Sequence, residues 1–103
     1  MNNYNYKILP QAVIDLDNHA AFIAQDNLDA GLRLYDMAAI TYEMICDMPN
    51  IGAIHETSKP NLLGMRLFAI KEYSRYLVYY KSINGFINIV RVLHVRTDRD
   101  KWF

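Results

Sequence analysis

Arg75-Tyr76-Leu77-Val78-Tyr79-Tyr80-Lys81, then Ser82-Ile83-Asn84-Gly85, then Phe86-Ile87-Asn88-Ile89-Val90-Arg91-Val92-Leu93-His94-Val95-Arg96 is the stretch that decides the fold. The two outer runs are rich in Tyr, Val, Ile and Leu, and they flank Asn84-Gly85. Asn-Gly supplies the two positive-φ residues of a tight turn, so the runs predict antiparallel strands joined as a hairpin. Phe86–Val95 is nearly all apolar and β-branched, the pattern of a central strand covered on both faces. Working back, Arg66–Ile70 reads as a third strand, and short connections make the three a meander of neighbours.

Upstream of Gly64 the periodicity changes. Asn50–Gly64 carries Gly52, Ser58, Pro60 and Gly64 with no regular pattern, and reads as a long loop of the functional or mobile kind. Before it, Ala30, Leu34, Met37, Thr41, Ile45 and Met48 follow one face of a helix. Asp26 or Asn27 caps that helix, Asp29 suits its first turn, and Pro49 stops it. Ala12, Leu16, Ala20 and Ile23 predict an earlier helix over roughly residues 11–24, with Pro10 at its first position. So few residues join the two that they should pack as an antiparallel hairpin. Tyr4, Tyr6 and Ile8 alternate with polar residues, which makes Tyr4–Leu9 a short strand, expected beside Arg66–Ile70 or its neighbour. The fold class is therefore α+β, in the order β-α-α-β-β-β, with both helices on one face of the sheet.

Composition bounds what such a chain can be. Its 103 residues predict one domain over 1–103, and 52% hydrophobic residues are enough for a core. Apolar runs fall far short of the ~18 residues of a membrane span, so no membrane contact is expected. The start, Met1-Asn2-Asn3-Tyr4-Asn5-Tyr6-Lys7, lacks the layout of a signal peptide. Cys46 is the single cysteine and sits among apolar residues, which reads as a small core side chain and a cytoplasmic location.

Net charge is zero but divided. Residues 1–51 carry two basic and seven acidic side chains, 2 − 7 = −5; residues 52–103 carry nine and four, 9 − 4 = +5. Such asymmetry points either to an anionic partner for the basic half or to ordinary solvated faces. His19, His55 and His94 are scattered without ligand spacing, and the four glycines are far apart, so neither a metal nor a phosphate-binding cofactor is expected. His19, near the first helix's apolar stripe, reads as a structural histidine. His55-Glu56 in the long loop offers a proton-transfer pair in principle, and by default reads as solvated loop residues. In the last strand, strict alternation puts Arg91 with Ile87, Ile89 and Leu93, and Asn88 with His94. An arginine in so apolar a strand needs a carboxylate, a carbonyl or a bound anion. Arg96, Arg99 and Lys101 follow, and Trp102-Phe103 close the chain, a composition suited to a protein partner or to folding back over the sheet.

These pieces together resemble the RelE/ParE superfamily of toxins from type II toxin–antitoxin modules. The resemblance rests on Ala12-Val13-Ile14-Asp15-Leu16 with Phe22-Ile23, on Met48-Pro49-Asn50-Ile51-Gly52, and on Gly64-Met65-Arg66. Tyr76-Leu77-Val78-Tyr79-Tyr80 and Ile89-Val90-Arg91-Val92-Leu93-His94 complete it. It implies a growth-arresting toxin held by a cognate antitoxin in a hetero-oligomer. The partner contacts would fall to the exposed flank of the helical hairpin and to Arg66, Arg75, Arg96, Arg99, Lys101, Trp102 and Phe103. Two activities divide the superfamily. A RelE-like ribosome-dependent endoribonuclease acting on mRNA would draw on Arg66, Arg91, His94 and Arg96 for acid–base work and charge stabilisation. No tyrosine lies beyond Tyr80, so the C-terminal tyrosine of many nuclease members is missing. A ParE-like poison of DNA gyrase needs no catalytic residue, and the Met-Pro…Gly and Arg-Val-Leu-His segments look more like that branch. A non-toxic module that only binds antitoxin or operator DNA is the third reading.

Overall fold

A computed structural model of the chain describes residues 5–97. Arg99, Lys101, Trp102 and Phe103, expected at the partner surface, lie outside the described residues, as does Tyr4. Pro10 opens α1 (Pro10–Ala24), which turns Ala12, Leu16 and Ala20 into the core. After a short turn Asn27 caps α2 (Leu28–Asp47), its side chain accepting the Ala30 N–H at 3.0 Å. The helices cross closely at Gly31, where a Cβ would stand 2.7 Å from the Ala20 carbonyl oxygen. Leu34, Met37, Ala38, Thr41, Tyr42, Ile45 and Cys46 are buried along α2. Met48 is not. It follows the last helical turn with non-helical backbone (φ −136°), so helical spacing no longer places it, and it is exposed.

The strands are β1 (Asn5–Ile8), β2 (Ala53–Ile54), β3 (Arg66–Ile70), β4 (Tyr73–Ile83) and β5 (Phe86–His94), in the sheet order β1-β5-β4-β3-β2. β3, β4 and β5 form the expected antiparallel meander, with Asn84 and Gly85 at φ 51° and 83° in the tight turn. Three expectations are corrected. The sheet has five strands, because Ala53–Ile54, inside the stretch read as plain loop, pairs antiparallel with β3. With that edge of β3 occupied and β4 paired on both sides, β1 lies parallel to β5 instead, Asn5 opposite Phe86 and Ile8 opposite Ile89. A bulge shifts the β4–β5 register: Tyr80 faces Ile89 and Tyr79 faces Arg91, leaving Val90 as the extra residue. The bulge reverses the alternation. Ile87 and Ile89 therefore share a face with Val92 and not with Arg91, and Asn88 no longer shares one with His94.

Both helices pack on one face of the sheet, as expected, over Tyr76, Val78, Tyr80, Ile87, Ile89 and Val92. On the opposite face Leu62, in a short 3-10 turn at Pro60–Leu62, and Met65 cover Leu77, Tyr79 and Leu93. The long segment before β3 is thus a second cover for the sheet, and it carries His55 inward. His55, read as a solvated loop residue, is buried with its ring edge-on to Tyr79, centroids 5.6 Å apart. The β3–β4 turn is tied to α2 at three points. The Thr41 hydroxyl accepts the Lys71 N–H at 3.0 Å, the Tyr73 hydroxyl donates to the Ala30 carbonyl at 2.6 Å, and Arg33 holds Glu72 at 3.0 Å.

Candidate partner-binding site

Where β1 ends, α1 takes over the outer edge of β5. The Leu9 N–H donates to the Ile89 carbonyl at 2.9 Å, and the chain then turns into α1. One and two helical turns on, Asp15 and His19 point back at Val92. Asp15 Oδ2 accepts the Val92 N–H at 3.1 Å, and His19 Nε2 donates to the Val92 carbonyl at 2.7 Å. Asp15 also receives Arg91, Nε to Oδ2 at 2.7 Å and Nη2 to Oδ1 at 2.9 Å, and Gln11 at 3.2 Å. Burial pushes the Asp15 pKa up, but the bonds from Arg91, the Val92 N–H and Gln11 outweigh it, so the carboxyl sits below its ordinary value. Arg91 has found its carboxylate and is buried with it.

Beside this pair lies a cationic, aromatic corner. His94 faces Tyr76 across the β4–β5 ladder, rings edge-on with centroids 5.2 Å apart, and His19 packs against the same tyrosine at 4.7 Å. The Arg96 N–H donates to His94 Nδ1 at 3.1 Å. Partial burial, then Arg96, His19 and Arg75, hold its pKa below the ordinary imidazole value. Arg75 and Arg96 are exposed at this corner, the Val95 N–H bonding the Arg75 carbonyl at 2.8 Å. Two exposed arginines at the same end of the sheet as this aromatic cluster suit an anionic group on a partner surface.

Arg66 is elsewhere. It faces Tyr80, four residues further along β4 from Tyr76, or about 13 Å of strand. Its Nη1 donates to the Gly52 carbonyl at 2.8 Å, while the Tyr80 hydroxyl donates to the Pro49 carbonyl at 2.8 Å and accepts the Gly52 N–H at 2.9 Å. Together they clamp the turn after α2. Gly52 is required there, since a Cβ would stand 2.7 Å from both the Leu67 carbonyl oxygen and the Tyr80 hydroxyl. Of the residues read as a nuclease set, His94 and Arg96 therefore meet, Arg91 is bound by Asp15, and Arg66 holds a turn. Tyr76 and His19 were missed as members of the corner. The signal for them lay in the alternation that puts Tyr76 and Tyr80 on one face, and nothing local joined His19 to it. Among the described residues no three His, Cys, Asp or Glu side chains are grouped to hold a metal ion. No helix among them is long and apolar enough to cross a membrane.

The chain is thus a helical hairpin on one face of a mostly antiparallel sheet, with a basic corner at the sheet's end. Residues 6–99 match the family model described as the ParE toxin of the type II toxin-antitoxin system, parDE, and the chain belongs to that family. A solved structure titled "Chromosomal ParDE TA system from P. aeruginosa" shares the fold, with a TM-score of 0.70 at 16% identity, covering 89% of this chain and 96% of that one. No curated protein matches the chain.

Proposed function

We propose that this chain arrests growth by binding DNA gyrase, and that a cognate antitoxin neutralises it by placing acidic residues on the basic corner of the sheet. Membership of the ParE toxin family over residues 6–99 carries the reading. The geometry of the alternative nuclease set supports binding over bond cleavage. In-line attack by a ribose hydroxyl needs a base, a proton donor and a free cation at the phosphate. Here Arg91 is neutralised in a buried pair and Arg66 is held on backbone carbonyls about 13 Å along the sheet, so only His94 and Arg96 of that set meet. Arg75 and Arg96 remain exposed, where they can meet a partner.

The direct test uses purified toxin in two assays. Inhibition of gyrase supercoiling, relieved by the product of the adjacent reading frame, is expected. Ribosome-dependent mRNA cleavage that is lost in His94→Gln would replace this reading with the nuclease one. Overexpression that leaves growth unchanged, with and without the neighbouring gene, would reduce the chain to a binding module.

A further inference from the structure

The corner that holds Arg75, His94 and Arg96 can change its charge near neutral pH, because an imidazole stands among its guanidinium groups. His94 is half-buried on β5, its ring edge-on to the buried Tyr76 of β4 with centroids 5.2 Å apart. From α1, His19 packs on the same tyrosine at 4.7 Å and keeps Nε2 2.7 Å from the Val92 carbonyl oxygen. Arg75 precedes Tyr76 on β4 and Arg96 follows two residues after His94, both exposed. The groups that act on the His94 ring from the chain after β5, from α1 and from β4 are therefore Arg96, His19 and Arg75, each a cation or able to become one. Asp15, the α1 carboxylate one turn from His19, is spent on Arg91 and the Val92 N–H.

Chemistry at Nδ1 ties this charge to the shape of the corner. Nδ1 accepts the Arg96 N–H at 3.1 Å. Protonation there turns the acceptor into a donor, so the Arg96 N–H is released toward an oxygen from outside. A carboxylate arriving at the corner then meets a freed N–H, two guanidinium groups and a ring that its own charge helps to protonate. In the free protein, partial burial first, and then Arg96, His19 and Arg75, favour the neutral ring. We infer that the corner is a proton-coupled anion site: an acidic segment of a protein partner binds it together with a proton taken up by His94. The coupling rests on the reading that brings an antitoxin's acidic residues to this corner, and it sets how that contact is regulated. Its sign follows from linkage, since a ligand that favours the protonated ring must bind tighter as pH falls. The partner's carboxylates stay ionised down to about pH 5, so between about pH 5 and 8 they add no slope of their own. A contact made by arginines alone would be flat across that range. Mild acidification therefore tightens the complex, and a rise in pH loosens it.

Calorimetry of the full chain with the product of the adjacent reading frame, from about pH 8 down to about pH 5, tests it. Affinity should rise about 10-fold across that range, the factor for a rise of about one unit in the His94 pKa on binding. At about pH 6.5 the binding enthalpy should differ between two buffers of different ionisation enthalpy, as net proton uptake demands. His94→Gln puts a side chain that cannot titrate in the ring's place, and should flatten the profile and abolish the buffer difference. His19→Gln retains a donor for the Val92 carbonyl and should leave the slope in place. NMR of the wild type needs no substitution: the His94 ring should titrate with a higher midpoint in the complex than in the free chain. A complex weakened by Arg75→Ala/Arg96→Ala, yet with no proton uptake and an unmoved His94 midpoint, would overturn the inference and leave the corner as the binding site. A slope that persists in His94→Gln would overturn it by moving the proton elsewhere. A complex indifferent to Arg75→Ala/Arg96→Ala would take the acidic segment away from this corner, and the coupling with it.

Discussion

Asp15 makes more contacts that matter than any other polar side chain described, serving Arg91, the Val92 N–H and Gln11 at once. Removing it leaves a buried guanidinium and a strand N–H unpaired, so Asp15→Ala should lower unfolding free energy by about 3–5 kcal/mol, measured by urea denaturation at neutral pH. Because its folded pKa is depressed, this contribution is fully present above the unfolded carboxyl value of about 3.9 and is lost as pH falls through the folded one. The gap in stability between wild type and Asp15→Asn should therefore narrow on acidification below about pH 4. A gap that stays constant would remove the ionised pair from the account. His94 titrates in the same direction for other reasons. Partial burial comes first, then three neighbouring cationic or ionisable groups, so NMR titration of its ring should give a midpoint below that of a free imidazole. Arg96→Ala should raise it. That Arg91 needed a carboxylate was legible, since an apolar strand does not hold a lone guanidinium. Which carboxylate answers was not, because Asp15 lies 76 positions away.

Elements were legible where their signals are local. Pro10, Asn27 and Pro49 mark the helix ends, and Asn84-Gly85 marks the hairpin, all within a few residues of the structure they specify. β2 has two residues and exists only because β3 offers it an edge, so no period could announce it. The Val90 bulge is likewise invisible to alternation, which assumes a regular ladder. The turn after α2 shows how a short motif becomes a fixed joint. Tyr80→Phe keeps the ring in the core but leaves the Pro49 carbonyl and the buried Gly52 N–H without the hydroxyl, and should cost about 1–3 kcal/mol. Gly52→Ala forces a Cβ against Leu67 and Tyr80 and should cost about as much through displacement of the turn. Urea unfolding of both variants checks this. Wild-type stability in either one would mean the clamp is dispensable.

At the scale of the whole molecule the divided charge was legible and its placement was not. The acidic half becomes the helical hairpin, while Arg75, His94 and Arg96 gather from two strands into one corner of the sheet. If that corner takes an acidic antitoxin segment, Arg75→Ala/Arg96→Ala should weaken the complex at least about 10-fold by calorimetry, and wild-type affinity should fall with added salt. Equal affinity of wild type and double variant would move the antitoxin elsewhere. The edge of β5 beyond Ile89 has a further consequence. β1 stops there, yet Val92 already has its N–H on Asp15 and its carbonyl on His19, so two side chains of α1 stand where another strand would lie. A neighbouring chain finds no template to zip onto there, and the apolar strand β5 is sealed against edge-to-edge pairing at its open end. The same carboxylate that neutralises Arg91 thereby also caps the free stretch of the β5 edge.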